Sequence, residues 1–267
     1  MEKTKIVLVS YHNSLPFLYG LQHSDYIKQN CEIITEYPSK GAEMLTNGEC
    51  DIALVPVGII PKLKISYIVS KFCIGAEGCV RSVLLVSQVP LEMITKIYLD
   101  YQSATSVRLV KILARHHWNI NPEFVAAEPG YEKTIKGTTA GVIIGDRCFE
   151  YTNFKYKYDL AEEWINFTGY PFVFAAWLSL KPVKAELKKE LNDALEYGIS
   201  NIESVIQEYK HKFAFNPNFN AREYYTKNIS YYLNDGKSRG MSAFIKYINM
   251  EDRANADPAV RQLYAQN

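Results

Sequence analysis

The sequence lacks long apolar runs and paired cysteines. No stretch approaches the ~20 consecutive apolar residues of a membrane-spanning helix, and the apolar stretch near the N-terminus, Ile6–Val9, is too short for the core of a signal peptide. The five cysteines include no CxxC pair, which makes a disulfide framework or a zinc site unexpected. Reduced thiols fit the cytoplasm, so we expect a cytoplasmic protein that has no membrane partner.

Strong charge and the common phosphate-binding motifs are also missing. The formal net charge is +1, with lysines and arginines scattered along the chain, so no nucleic-acid partner is expected. The sequence contains no GxSxG, GxxxxGK[ST] or GxGxxG motif. None of the five histidines has a metal-binding spacing with carboxylates, so we expect no metal. A small molecule is the expected partner.

The pattern that is present is an alternation of strands and helices. The chain of 267 residues, 48% of them hydrophobic, is long enough to bury a substantial core. Short apolar runs are separated by stretches of helical spacing, which predicts an α/β protein with mostly parallel sheets. The predicted strands are residues 5–9, 33–36, 51–57, 83–86, 94–99, 124–126, 140–146 and 168–177.

The stretch from Cys73 to Ser87 is interpreted as the passage between two lobes. Gly75 and Gly78 allow a sharp bend, and an apolar run follows Ser82. In this interpretation Ser82 faces the cleft between the lobes, which comprise residues 1–85 with 175–267 and residues 86–174. By itself the stretch favours a simpler alternative, a buried strand whose preceding serine bonds a nearby backbone group.

The last third of the chain is predicted to be helical. A helix is expected to begin at Pro182, and Asn220 is expected to cap another that runs to Leu233. A final amphipathic helix is predicted over Met241–Met250, after a turn at Asp235 and Gly236.

Small polar residues recur where the predicted strands end or the helices begin. In α/β sheets these positions form the ligand crevice, and helix N-termini with nearby hydroxyls bind anions. Taken singly, each such residue is more typical of a helix cap; His12 is typical of a loop residue, and Asp146 is equally compatible with a catalytic carboxylate and a turn. The neutral, hydroxyl-rich set favours a carboxylate-binding protein over an enzyme. Its members are Ser10, Asn13, Ser39, Ser82, Ser103, Thr105 and Ser106.

Several sequence blocks resemble the chorismate dehydratase family of the futalosine pathway of menaquinone biosynthesis. They occur in the family's order over about two thirds of the chain, and the helical tail adds little. The matching blocks include Asn13-Ser14-Leu15-Pro16-Phe17, Asp51-Ile52-Ala53-Leu54-Val55-Pro56-Val57, Gly75-Ala76-Glu77-Gly78-Cys79-Val80-Arg81-Ser82-Val83, Ile144-Gly145-Asp146 and Thr168-Gly169-Tyr170-Pro171-Phe172.

The resemblance implies a type 2 periplasmic-binding-protein-like fold, with two α/β lobes around a cleft. It implies a hydro-lyase that converts chorismate to 3-[(1-carboxyvinyl)oxy]benzoate without metal or organic cofactor. Asn13 and Ser82 match the residues that hold the substrate's carboxylate and are the expected catalytic pair. Ser103, Thr105 and Ser106 match an anion-binding turn in the second lobe. Arg147 stands where the family pattern has a small residue.

Two alternative functions remain open at this point. The sister enzyme of the pathway, 1,4-dihydroxy-6-naphthoate synthase, shares the fold and uses a histidine. The blocks around Asn13 and Ser82 favour the dehydratase over it. A solute-binding protein for a small carboxylate is the alternative from another class, and the absence of a recognisable signal peptide counts against it.

Overall fold

A computed structural model describes residues 3–213 and 219–256. Within them, eleven strands form two sheets, and helices cover the faces of both. The strands are β1 Thr4–Val9, β2 Cys31–Glu36, β3 Ile52–Pro56, β4 Tyr67–Ala76, β5 Val83–Ser87, β6 Lys96–Leu99, β7 Glu123–Ala126, β8 Thr139–Ile144, β9 Tyr156–Asp159, β10 Phe172–Ser179 and β11 Ser230–Tyr232.

Helices connect most of these strands, and a long one closes the described chain. Among the described residues, no helix is long and apolar enough to cross a membrane. The α-helices are α1 Leu15–His23, α2 Asp25–Asn30, α3 Pro38–Thr46, α4 Ala104–His116, α5 Arg147–Glu150, α6 Leu160–Thr168, α7 Ala185–Ser200, α8 Ile202–Glu208, α9 Ala221–Glu223 and α10 Asp235–Ala256. A π-helical segment, Tyr224–Asn228, follows α9.

The two sheets are mixed, whereas the sequence predicted mostly parallel ones. The first has the order β11-β4-β10-β3-β1-β2 and the second β7-β6-β8-β5-β9. Strand β1 is parallel to β2 and β3, and β6 is parallel to β7 and β8. Strands β5 and β10 run antiparallel to their neighbours. A helical crossover within one sheet enforces parallel pairing, but β5 and β10 arrive from the other sheet and are free of that constraint.

The chain passes between the sheets twice, after β4 and again before β10. The predicted lobe boundaries at residues 85 and 175 fall within β5 and β10, a few residues after each passage. The division into lobes stays a prediction, and residues 257–267 of the first lobe lie outside the described residues.

Most predicted strands are present, but several elements differ from expectation. Strands β4, β9 and β11 were not predicted. Asn220 does cap a helix, since its side chain accepts a hydrogen bond from the Glu223 N–H, but that helix becomes the π-helical segment and then β11. Helix α10 begins at Asp235, which was expected to form a turn. Short strands such as β9 and β11 are determined by pairing with β5 and β4, which local patterns do not encode.

Helices α1 and α7 pack unusually closely because each has a glycine at the contact. A Cβ atom at Gly198 would lie 1.8 Å from the Pro16 carbonyl oxygen, and one at Gly20 would lie 1.9 Å from the Ala194 oxygen. Backbone atoms cannot move aside as a flexible side chain can, so this approach requires glycine at both positions.

The substitution Gly198→Ala should therefore destabilise the protein by about 1–3 kcal/mol, despite alanine's better helix propensity. Gly78→Ala is the control, because a Cβ atom at Gly78 meets nothing within 4 Å. Urea unfolding of the two variants measures the difference. An equal effect of both substitutions would contradict the close packing of α1 on α7.

Candidate active site in the cleft between the sheets

A cavity lies between the two sheets, and its lining residues come from both of them. Loops that follow β1 and β8 meet there, together with the N-terminus of α4. Among the described residues that line the cavity, none is charged. Its walls are mainly apolar, from Val9, Pro38, Pro56, Ile74, Val80, Val83, Ile144, Phe174 and Ala175, and its polar lining residues are Tyr11, Asn13, Ser82, Ser103 and Ser106.

Asn13 lies in a short 3₁₀ turn directly after β1. The Ser14 hydroxyl stabilises this turn by contacting the carbonyls of Val9 and Tyr11. The Tyr231 hydroxyl donates a hydrogen bond to the Asn13 carbonyl at 2.9 Å. The side-chain Oδ1 of Asn13 is buried and has no hydrogen-bond partner among the described residues. The backbone of Asn13 is thus fixed while its amide is available to a ligand.

Ser82 lies directly before β5 and is buried, with 1% of its surface exposed. The preceding Arg81 adopts a left-handed backbone with φ 61°, and its N–H donates to Asp159 Oδ2 at 2.6 Å. The Gly145 N–H donates to the Ser82 carbonyl at 2.8 Å. The Ser82 hydroxyl has no hydrogen-bond partner within the described part of the chain. This excludes the simpler alternative of a serine that bonds a nearby backbone group.

Tyr224 brings a third polar group to this point, and the sequence analysis did not identify it. Its hydroxyl is buried beside the side chains of Ser82 and Asn13, which act on it as hydrogen-bonding groups. Burial raises the pKa of Tyr224 well above its ordinary value. No hydrogen bond of good geometry satisfies its hydroxyl among the described residues. The only sequence signal was an aromatic residue after the Asn220 cap, which is too common to indicate a site.

Ser103 and Ser106 form the opposite polar region of the cavity. Ser103 caps α4, since its hydroxyl accepts the Ser106 N–H at 3.1 Å. The two hydroxyl oxygens lie 2.9 Å apart. Helix α4 has 13 residues, and its N-terminal dipole with these hydroxyls favours an anion.

Thr105 is buried on the same turn but does not line the cavity. Its hydroxyl donates to the Phe174 carbonyl at 3.0 Å and accepts the Gly58 N–H at 3.0 Å. These bonds join α4 to strand β10 of the first sheet and to the segment that follows β3. Thr105 therefore connects the two lobes and does not face the cavity. Ser39 likewise does not cap α3, because Pro38 is already the first helical residue, and its N–H donates to the Gln102 carbonyl.

His12 and Asp146 form a pair beside the cavity, and neither lines it. The backbone N–H of His12 donates to Asp146 Oδ1 at 3.1 Å, and His12 Nδ1 lies 3.2 Å from the same oxygen. Burial raises the pKa of Asp146 to about 7 and lowers the pKa of His12 to about 4. The imidazole is therefore neutral at neutral pH, and the pair links the loop after β1 to the loop after β8.

Three other charged residues, Arg147, Glu77 and Arg81, contact charged side chains of opposite sign. Arg147 neither points to solvent nor adds a cation to the cleft, because it forms ion pairs with Asp100 and Glu132. Glu77 pairs with Lys237 at 2.7 Å, and Arg81 lies 3.7 Å from Glu223. Within the described residues, no group of three His, Cys, Asp or Glu side chains is placed to hold a metal ion.

Comparison with known proteins identifies the family to which this chain belongs. The family model described as menaquinone biosynthesis matches residues 4–250. The chain belongs to the menaquinone biosynthesis family. The chorismate dehydratase of Thermus thermophilus is 24% identical over 264 residues, which cover 91% of this chain and 94% of that protein. The resemblance found in the sequence blocks is thereby confirmed.

Solved structures show the fold that this family member shares with binding proteins. Protein AF1704 from Archaeoglobus fulgidus has a TM-score of 0.69 at 13% identity, over 95% of this chain and 98% of that one. The aliphatic sulphonate-binding protein SsuA from Escherichia coli has a TM-score of 0.59 at 14% identity, over 98% and 97%. Candida albicans CA3427, described as having the periplasmic binding protein fold, has a TM-score of 0.60 at 13% identity, over 94% and 91%. The predicted fold is confirmed.

The His12–Asp146 pair gives a test through the pH dependence of stability. The protonated form of Asp146 favours the folded state, and this contribution is lost as the pH rises from about 4 to about 7. The neutral form of His12 favours the folded state, and its contribution grows from about pH 4 to about 6.5. Because these effects oppose each other, the pair should contribute a nearly constant free energy over this range.

The substitution Asp146→Asn removes the first effect and leaves the second. Relative to the wild type, its free energy of unfolding should rise by about 1–3 kcal/mol between about pH 4.5 and 6.5. Urea unfolding at the two pH values measures this, with the exposed Asp25→Asn as a control. If the free energy of unfolding of Asp146→Asn changes with pH in the same way as that of the wild type, the opposite pKa shifts of Asp146 and His12 are refuted.

Proposed function

We propose that this protein dehydrates chorismate to 3-[(1-carboxyvinyl)oxy]benzoate and is a hydro-lyase of menaquinone biosynthesis. The observation that carries the proposal is the buried Ser82 hydroxyl, which lacks a partner among the described residues and lines the cavity together with Asn13. Such a hydroxyl costs free energy unless a ligand accepts its hydrogen bond. Membership of the family and the similarity to a chorismate dehydratase support this substrate.

The two polar regions of the cavity suit a substrate with two carboxylates. A carboxylate only accepts hydrogen bonds, so one is placed at the Asn13 amide and Ser82 hydroxyl. The second is placed at the N-terminus of α4 near Ser103 and Ser106, where the helix dipole favours negative charge. The apolar walls between these regions, among them Phe174, accommodate the ring.

The reaction is an elimination driven by aromatisation of the ring. The C–H bond at the carbon that bears the enolpyruvyl ether breaks, and its electron pair forms the new ring double bond. The C–O bond of the neighbouring ring carbon breaks, and the leaving hydroxyl takes up the abstracted proton and departs as water. No oxidant or reductant is needed for this balance.

The side-chain carboxylate of chorismate itself is the proposed proton acceptor. No acidic or imidazole side chain is among the described residues that line the cavity, and Asp146 with His12 are bound to each other beside it. Asn13 and Ser82 would hold the carboxylate beside the carbon that loses its proton. Orientation of this kind can lower a barrier by ~7–11 kcal/mol.

The test is incubation of purified protein with chorismate in metal-free buffer, followed by mass spectrometry. We expect loss of one water, with turnover lowered at least ~100-fold by Asn13→Ala or Ser82→Ala, since removal of one positioned donor has such an effect. Ser87→Ala is the matched control. Ser87 is fully buried at the other end of β5, and its hydroxyl accepts the Val89 N–H, so this variant should retain turnover.

Other outcomes of the same experiment identify the alternatives. Chorismate that stabilises the protein against heat but stays unchanged would indicate a carboxylate-binding protein. Chorismate that neither binds nor reacts would favour the naphthoate-forming reaction. Either result would refute the dehydratase proposal.

His12 provides a separate test of the proton acceptor. If the substrate's carboxylate is the base, His12→Asn should keep kcat within about tenfold, because loss of a true general base costs ~10²–10⁴-fold. Steady-state kinetics at equal concentrations of folded protein measure this. A variant that binds chorismate normally but has lost turnover would assign the base to His12.

A further inference from the structure

The segment that follows α9 contacts the loops on both sides of the cleft. The Asn228 side chain donates to the Cys79 carbonyl at 2.9 Å, in the loop that carries Ser82. The Tyr231 hydroxyl donates to the Asn13 carbonyl. Lys237, which is fully buried, reaches Glu77 at the start of the same loop. One C-terminal segment therefore holds the backbones on both sides of the candidate site.

Tyr224 lies at the point where these two loops meet. Its ring packs against Phe149 and Phe219, with centroids 5.2 and 5.5 Å away, and 2% of its surface is exposed. Its hydroxyl lies beside Ser82 and Asn13. These residues contribute three buried polar atoms that lack hydrogen-bond partners among the described residues: Asn13 Oδ1, Ser82 Oγ and Tyr224 Oη.

Three buried polar atoms without partners lower the stability of the folded protein. When a ligand is bound, the three groups can form hydrogen bonds with it and with one another. A bound carboxylate accepts N–H from Asn13 and O–H from Ser82, which leaves the acceptor atoms of both side chains without a donor. The single O–H of Tyr224 can satisfy one of these acceptors, Asn13 Oδ1, because burial keeps the hydroxyl protonated. The π-helical backbone of Tyr224–Asn228 is of a kind often found at functional sites.

We propose that Tyr224 is a positioning residue, whose hydroxyl donates to Asn13 Oδ1 and so turns the Asn13 NH₂ group toward the substrate's carboxylate, which also accepts the Ser82 O–H. Tyr224 does not line the cavity and acts through Asn13. The inference rests on the proposed function for its substrate, and on the cluster of buried atoms for its geometry.

Tyr224→Phe removes the hydroxyl alone, and Tyr225→Phe is a closely matched control. Tyr225 is the next residue of the same π-helical segment, is equally buried, and its hydroxyl also lacks a partner among the described residues. Neither Asn13 nor Ser82 acts on it. A merely structural role of a buried hydroxyl would therefore affect both variants alike.

Steady-state kinetics with chorismate form the first measurement. Tyr224→Phe should lower kcat about 10- to 100-fold, with a smaller change in KM, because the α4 region and the apolar walls still bind substrate while the carboxylate is misoriented. Tyr225→Phe should stay within about twofold of the wild type. Equal kcat values for the two variants would overturn the proposal.

The side-chain NH₂ signal of Asn13 in a ¹H–¹⁵N NMR spectrum is the second measurement, and it does not depend on activity. Its absence from the Asn13→Ala spectrum assigns it. The signal should shift in Tyr224→Phe and stay in place in Tyr225→Phe. Lost turnover with an unshifted signal would overturn the proposal.

The two measurements separate this inference from the proposed function. If the wild type does not convert chorismate, the proposed function fails, and the NMR comparison alone decides whether Tyr224 orients Asn13. If the wild type is active and the Tyr224→Phe variant resembles the Tyr225→Phe variant, this inference alone fails.

Discussion

The rest of this structure depends on one constraint: polar side-chain atoms in a buried cleft lack hydrogen-bond partners. Asn13 and Ser82 each keep a polar side-chain atom without a hydrogen-bond partner among the described residues, at a cost of about 1–3 kcal/mol per group. Their backbones are fixed by hydrogen bonds from Tyr231 and Gly145. Without a ligand, the packing around the cleft must offset this cost.

That packing comes from contacts between the lobes as much as from either sheet. Thr105 bonds the Phe174 carbonyl and the Gly58 N–H, and the loop after β1 contacts Asp146 through His12. Tyr11 spans the cleft, where its hydroxyl bonds Gln102 and its ring covers Gly145. These contacts hold the loops around the cavity together, and between its mainly apolar walls hydrogen bonds to an anion are stronger than in bulk solvent.

The same fold occurs in the aliphatic sulphonate-binding protein SsuA, so the fold alone does not identify an enzyme. In the proposed function, neutral donors and a helix N-terminus that line the cavity bind the substrate's carboxylates, and His12 and Asp146 contact each other beside it. A site that acted in this way would hold a reactive substrate in one orientation and leave much of the chemistry to it.

Local patterns predicted much of the fold, and the resemblance to the chorismate dehydratase family singled out Asn13 and Ser82 as candidate site residues. Strands such as β1, β3 and β8 were predictable because their apolar runs are buried on both faces, and Asn13 and Ser82 follow or precede such strands. Only the tertiary structure decided that Thr105 joins the lobes, that β11 pairs with β4, and that Tyr224 lies beside Ser82. The physical reason is distance along the chain: Tyr224 meets residues more than a hundred positions away, and no local spacing encodes a contact that depends on how the whole chain packs.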